Sequence, residues 1–104
     1  MKELSLKNKD IRFFNSFFEK LIGVMFMKKN EKVFIFKQKK SKNIVHTFFC
    51  DPIYIYFFNE NFELVEKVYL RSFRFYFTKK PFVYMIESFE DLGLMEGDKI
   101  ILDF

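Results

Sequence analysis

The chain has 104 residues and a mass of 12.8 kDa, a length that predicts a single domain spanning residues 1–104 around one core. Aromatic residues make up 22% of it, with 18 Phe, 5 Tyr and no Trp, and this surplus predicts that some rings lie on a contact surface. The formal net charge is +4, and charged residues interrupt every apolar run before the roughly 20 residues of a membrane span, so we expect a cytoplasmic protein without a membrane segment.

The charge is divided unevenly along the chain. Residues 1–52 carry 12 Lys and Arg against 5 Asp and Glu, whereas residues 53–104 carry 6 against 9. This asymmetry is compatible with an anionic partner, although lysine clusters also serve as solvated faces that keep small proteins soluble. A lone cysteine cannot form an internal disulfide, which agrees with the expected cytoplasmic location.

The first third of the chain predicts a strand, a helix and a second strand. Residues 2–8 alternate apolar and polar side chains, as a half-buried strand does. Ser16 and Glu19 have the spacing of a capping box, and the apolar residues that follow recur every three or four positions, which predicts a helix over about residues 16–27. Residues 33–36 are continuously apolar and predict a buried strand, followed by a basic loop at residues 37–43.

The middle of the chain predicts a central strand and a hairpin. Residues 44–50 and 53–58 are β-branched and aromatic at successive positions, which favours a strand covered on both faces and bent where Pro52 interrupts the ladder. Turn residues at 59–61 join this strand to residues 62–70. Glu66 interrupts the apolar face predicted for that second strand.

The last third predicts short elements. Residues 71–77 alternate Phe with Arg and Tyr, as a strand or an extended arm would, and residues 82–87 predict a further strand. Ser88 and Gly93 stand where a second short helical turn would begin and end. Residues 99–104 alternate again and predict the last strand.

These elements predict an α+β, mainly β fold with about six or seven short strands and one or two short helices. We expect a small closed or half-closed barrel, because closure removes exposed strand edges in a small domain. The alternative is an open antiparallel sheet with the first helix packed on one face.

Four segments of the sequence carry motifs that belong together. They are Gly23-Val24-Met25-Phe26 after a helix that contains Glu19, His46-Thr47-Phe48-Phe49 with Pro52-Ile53 and the strand that follows, Tyr84-Met85-Ile86-Glu87, and Gly93-Leu94-Met95-Glu96-Gly97-Asp98-Lys99-Ile100. In this order, over about residues 13–104, they resemble the domain of unknown function 192 family of small bacterial and archaeal proteins. The resemblance implies a compact β-rich fold and no particular activity.

The chain departs from that family at four positions. Cys50 replaces the usual Met, Tyr54 stands in place of Asp, Met27 takes the place of a common Arg, and Pro52 comes one residue early. If the family uses the Asp and Arg in a polar site, the resemblance implies that this chain has lost or rebuilt it.

The residues that favour catalysis are few. His46 and Cys50 are the only histidine and cysteine, and four positions along a strand place them about 13 Å apart, too far for an imidazole to activate a thiol. One His and one Cys without a Cys-x-x-Cys pair do not predict a metal site. We therefore expect no catalytic residue, metal or cofactor, and favour a protein that is not an enzyme.

A non-enzymatic module that binds an unknown small molecule or partner is the first functional hypothesis. Glu87 ends an apolar strand, and an inward carboxylate there would need a partner such as Arg71, Arg74 or His46. The predicted ligand-binding residues are His46, Phe48, Tyr54, Glu87 and Arg74.

The alternative hypothesis is a single-stranded nucleic-acid binding module. Residues 71–77 interleave cations with aromatic rings, and basic loops on either side could follow phosphates. The predicted contacts are Lys37, Lys39, Lys40, Arg71, Arg74, Lys79 and Lys80. The aromatic surplus also predicts a homodimer.

Overall fold

The structure is a computed structural model that describes residues 3–5, 10–14, 32–47 and 51–101. Nine strands lie in this part of the chain, more than the six or seven predicted. They are β1 (Glu3–Ser5), β2 (Asp10–Phe14), β3 (Lys32–Ser41), β4 (Ile44–His46), β5 (Ile53–Phe58), β6 (Leu64–Leu70), β7 (Phe75–Phe77), β8 (Phe82–Ser88) and β9 (Lys99–Ile101).

The main sheet has five strands in the order β2-β3-β8-β5-β6. β2 and β3 are parallel, and the other neighbours are antiparallel. The most apolar segments of the chain occupy the middle of this sheet, because a central strand is covered on both faces and needs apolar side chains at every position. β5 accordingly buries five of its six side chains, and the predicted hairpin between β5 and β6 is confirmed.

Two smaller sheets accompany the main one. β1 and β9 form a parallel pair, and β4 and β7 form an antiparallel pair that we call the ribbon. Residues 44–59 were predicted as one bent central strand, but they contribute β4 to the ribbon and β5 to the main sheet. Because β4 leaves the main sheet in this way, the described strands form no closed barrel, the first of the two forms predicted, and β2 and β6 are the two edges of the main sheet.

The main sheet carries apolar side chains on both faces. The first face holds Phe34, Phe36, Ile53, Ile55, Phe57, Phe82 and Met85, with Val45 of the ribbon, Leu70 and Phe89 packed among them. The second face holds Val33, Ile35, Tyr56, Phe58, Leu64 and Ile86, covered by Leu92, Leu94 and Ile100. The ribbon therefore lies against the first face, and the C-terminal residues cover the second.

The predicted helices have different outcomes. The helix expected over residues 16–27 lies outside the described residues. The second one is wrong, because none of the described residues is helical: β8 continues to Ser88, and the chain bends at residues 89–90. The Ser88 hydroxyl forms a local turn with the backbone of Glu90, and the Tyr56 hydroxyl accepts a hydrogen bond from the Leu92 amide. Since no described residue is helical, this part of the chain contains no helix able to cross a membrane.

The basic loop predicted at residues 37–43 is also wrong for most of its length. β3 continues to Ser41, with an irregular register against β8 between Lys37 and Ser41. The Gln38 amide contributes to this extension, since it donates to the Ser41 and Phe82 carbonyls. Lysine side chains do not prevent strand formation at a sheet margin, where they point into solvent.

Candidate contact surface on the ribbon

The ribbon has one face turned to the core and one turned to solvent. Val45 lies opposite Tyr76 in the register, and both pack against the first face of the main sheet, where Tyr76 stacks on Phe57 with 6.0 Å between ring centroids. Side chains alternate along a strand, so the neighbouring positions point outward. Ile44 and Phe77 form one outward pair, with 53% and 65% of their surface exposed.

The outward face is predominantly apolar. Phe75, 57% exposed, lies opposite the half-buried His46 and next to the first outward pair. Phe73, 56% exposed, lies two residues before the start of β7, in a turn where its φ is +58°. We define the ribbon face as Ile44, His46, Phe75 and Phe77, with Phe73 beside it.

A threonine hydroxyl closes each end of the ribbon. At one end the buried Thr47 donates to the Arg71 carbonyl and accepts from the Arg74 amide, so its side chain holds the turn that carries both arginines. At the other end the buried Thr78 donates to the Asn43 carbonyl and accepts from the Asn43 amide. Sequence reasoning missed both residues, and the only available signal was a hydroxyl next to each aromatic segment.

Replacing Thr47 with valine, which has nearly the same shape, is expected to destabilise the fold by about 1–3 kcal/mol, because two backbone groups lose their partner. Chemical denaturation of T47V would measure this cost. Thr78→Val is a matched variant at the other end and should show a loss of similar size. A T47V protein as stable as the wild type would contradict the role given to this hydroxyl.

Glu66 anchors the turn that follows β7. Its carboxylate accepts hydrogen bonds from the backbone amides of Lys79 and Lys80, at 2.9 and 3.0 Å for the shorter contacts, and from the Tyr76 hydroxyl. Burial, together with this hydrogen bond to a carboxylate, raises the pKa of Tyr76 to about 12. The carboxylate that interrupted an apolar pattern in the sequence therefore fixes the ribbon to the edge strand β6.

A register shift explains why Glu66 points toward the ribbon. Phe57 pairs with Glu66 but Phe58 pairs with Leu64, so one extra residue on β6 reverses the faces that its side chains occupy. Leu64 thus packs on the second face, whereas Val68 and Leu70 pack on the first. The prediction of a single apolar face along this strand, with Glu66 as its exception, is wrong for this reason.

Positive charge surrounds the ribbon face. Residues 37–47 and residues 71–80, which include β4 and β7, each contain four Lys or Arg and no Asp or Glu. The seven cations predicted to contact nucleic acid are all exposed. Within the described residues, acidic side chains pair with only two of them: Lys40 lies 3.4 Å from Glu60, and Lys80 contacts Glu96.

Glu87 lies on the first face of the main sheet, in register with Phe34 and Ile55. Only 4% of its surface is exposed, and its Oε2 atom has no hydrogen-bond partner among the described residues. Burial raises the pKa of this carboxyl to about 8, since a charged carboxylate loses its hydration there. The arginines considered as partners, Arg71 and Arg74, are exposed.

The structure separates some of the predicted ligand-binding residues. Tyr54 pairs with Ser88, one position from Glu87, so Tyr54 and Glu87 lie on opposite faces of the main sheet. His46 and Arg74 lie at the ribbon, and Phe48, like Cys50, is outside the described residues. A ligand site built from this set stays a prediction. Among the described residues no three His, Cys, Asp or Glu side chains lie close enough to hold a metal ion.

A surface cleft of about 480 Å³ lies beside the turn that Glu66 anchors. Most of its charged groups already have partners within the described chain: the Glu66 carboxylate accepts from the Lys79 and Lys80 amides, the Lys67 ammonium donates to the Leu94 carbonyl at 2.7 Å, and Lys80 contacts Glu96. These contacts hold the walls of the cleft together, so we assign it no ligand.

The described architecture defines a class: a small, mainly β protein whose central sheet is apolar on both faces and whose separate ribbon presents aromatic side chains to solvent. The sequence is 32% identical over 99 residues to a UPF0127 protein of Pyrococcus furiosus, an alignment that covers 88% of this chain and 84% of the relative. The chain therefore belongs to the UPF0127 family. No protein-family model matches the sequence.

Two crystal structures share the fold. One is a candidate transcription regulator from Sinorhizobium meliloti, with a TM-score of 0.78 and 12% identity over 86% of this chain and 78% of the other. The second is a protein of unknown function from Novosphingobium aromaticivorans, with a TM-score of 0.74 and 17% identity over 86% of this chain and 71% of the other. At such low identity the likeness concerns the fold alone.

Proposed function

We propose that this protein is a non-enzymatic binding module and that the ribbon face is its contact surface. The observation that carries the proposal is the exposure of more than half of Ile44, Phe75 and Phe77 on one face of a strand pair. An aromatic side chain offers about 150–250 Å² of surface, so these residues and Phe73 together leave roughly 400 Å² of apolar surface in water. The largest apolar patch on a monomeric protein is typically of this size and is often functional.

Binding is favoured over catalysis because of the groups that the ribbon face offers. Rings and one imidazole lie on it, and guanidinium groups flank it. Such groups stack and pair with a partner, while the described residues bring no matched acid and base onto this face. Of the ligand-binding residues predicted from sequence, His46 and Arg74 lie at this face, so a small-molecule ligand that contacts these two remains one form of the proposal.

Three narrower assignments accompany the proposal. The four motifs support membership of domain of unknown function 192 in addition to the family shown by sequence identity. The lone cysteine supports a cytoplasmic location. The aromatic surplus of the sequence supports a homodimer through an aromatic surface, which sedimentation at two protein concentrations tests.

The test places a photoreactive benzoylphenylalanine at position 75 and irradiates the protein in extract of its source organism. Tyr69 is the matched control position, since it is 52% exposed but lies on β6 and pairs with Tyr54 of the second face. We expect adducts from position 75 that position 69 does not give, and their sensitivity to nuclease or protease identifies the class of partner. Adducts of equal yield at both positions, or none at position 75, would overturn the proposal.

A further inference from the structure

We propose that the partner of the ribbon face is a single-stranded nucleic acid. This inference rests on the proposed function, because it names the occupant of the same surface. The charge around the face and the chemistry of its exposed side chains carry it together.

The two segments that form the face carry charge of one sign, and the Glu66 carboxylate beside the ribbon is already bound by the Lys79 and Lys80 amides. The chain contains 14 Asp and Glu, yet none of them falls in residues 37–47 or 71–80, the two segments that form the ribbon and its flanks. Arg71 and Arg74 are exposed in the turn at one end, and Lys79 is exposed in the turn at the other. A polyanion that crosses the face would meet cations at both ends and no carboxylate in the segments that form it.

The positions of the two arginines are fixed by the fold. The Thr47 hydroxyl bonds the backbone of both residues, and the Arg74 carbonyl accepts from the Thr47 amide at 3.0 Å. The backbone of Lys79 is also fixed, because its amide donates a hydrogen bond to the Glu66 carboxylate. Cations on anchored turns form a site with less loss of chain entropy than cations on a mobile tail.

The exposed rings supply the second part of the site. Phe75 and Phe77 are alternate residues of β7, so they point the same way about 6.6 Å apart, and each can stack on one base. Stacking on an aromatic side chain does not depend on which base is present, since every base has a π face. The site should therefore bind with little sequence preference.

A single strand fits this surface better than the other partners of suitable chemistry. A duplex offers phosphates to the cations but keeps its base faces stacked inside, so the rings would gain little from it. An apolar protein surface would cover the rings but leave the flanking cations without partners. A single strand provides phosphates and unstacked bases at the same time.

The experiment measures the fluorescence anisotropy of labelled single-stranded 12-nucleotide DNA and RNA of mixed sequence, titrated with the whole chain at several salt concentrations. We expect binding that weakens as salt rises, and weaker binding to a duplex of the same sequence. Phe75→Ala with Phe77→Ala should lower the affinity about a hundredfold, because stacking on each of the two rings is worth roughly a factor of ten. Arg71→Gln with Arg74→Gln should reduce the slope of log K against log salt by about 1.4, since each lost phosphate contact on a single strand removes about 0.7.

Two control variants lie away from the ribbon. Tyr69→Ala removes an exposed ring from β6, and Lys99→Gln removes a cation from β9, so neither should change the affinity or the slope. The substituted phenylalanines are more than half exposed, and a thermal melt of each variant confirms that it is folded.

Several results would overturn the inference: no binding of the folded wild type at low salt, equal losses in the control variants, or an affinity unchanged by removal of both rings. The proposed function would fail separately. A nuclease-resistant adduct from position 75 in a protein that binds no oligonucleotide would defeat the nucleic-acid partner and keep the contact surface, whereas the absence of both signals would defeat both.

Discussion

Replacing Glu87 with glutamine is expected to remove about 3 kcal/mol of pH dependence from the free energy of unfolding between about pH 5 and pH 8. The carboxyl is buried on the first face of the main sheet, and burial raises its pKa from 4.5 to about 8. Glutamine has nearly the same shape and does not ionise in this range, so Glu87→Gln isolates the contribution of that one proton.

The sign follows from counting protons in the two states. Below pH 4.5 the carboxyl is protonated in both the folded and the unfolded chain, so its titration has no effect on stability. Between pH 4.5 and about 8 the unfolded chain loses the proton while the folded chain keeps it. Stability therefore falls as the pH rises through this window, by about 1.4 kcal/mol per pH unit at most, and levels off above the folded pKa.

Denaturant unfolding of the wild type and E87Q at several pH values measures the effect as a difference of two curves, in which the other titrating groups cancel. Glu90→Gln is the control, since Glu90 lies three residues further along the chain and its side chain is exposed. E90Q should keep the wild-type pH dependence. Parallel curves for the wild type and E87Q would show that folding does not raise the pKa of Glu87, and would contradict its burial without a partner.

The sequence predicts best those strands whose hydrophobic pattern is compatible with only one position in a sheet. β5 and β8 lack a polar face over most of their length, and only the interior of a sheet buries both sides of a strand, so their central positions follow from composition. The β5–β6 hairpin follows in the same way from the turn residues 59–61. Its left-handed residue, however, is Phe62 at φ +59°, rather than one of the asparagines that favour this conformation.

The structural predictions that were wrong failed for physical reasons that the hydrophobic pattern of a sequence does not contain. The periodicity of β6 changes at a register shift whose extra residue has no distinctive sequence. The separation of β4 from β5 depends on long-range pairing with β7, since the local residues would suit a single bent strand equally well. Ser88 and Gly93 have the chemistry of helix ends, but the strand pairing of Ser88 with Tyr54 prevails over that local preference.

The candidate site, like the fold, could be predicted from the sequence only in part. The exposed cations and rings of residues 71–80 could be predicted from sequence because alternation separates them from the core. The geometry that makes them a surface depends on Thr47, Thr78 and Glu66, which act through backbone groups distant in sequence. Hydrogen bonds of this kind leave almost no trace in composition or periodicity.

Two phenylalanines of this chain are expected to respond oppositely to the same substitution. Phe57→Ala should destabilise the fold by about 3–5 kcal/mol, because Phe57 is completely buried and its removal leaves a cavity. The ring contacts both the main sheet and the ribbon. Its centroid lies 4.8 Å from that of Phe82 on the main sheet and 6.0 Å from that of Tyr76 on the ribbon. For a domain of this size such a loss lowers the melting temperature by well over 10 °C.

Phe77→Ala should change the stability by no more than about 0.5 kcal/mol, because Phe77 is 65% exposed. If the ribbon face is the contact surface, the effects on binding reverse: F77A weakens the complex while F57A, at temperatures where it stays folded, binds as the wild type does. Thermal melts and oligonucleotide titrations of the two variants supply both comparisons. A large loss of stability in F77A would mean that the ring packs within the protein, and the exposed aromatic surface would then belong to the fold instead of to a partner.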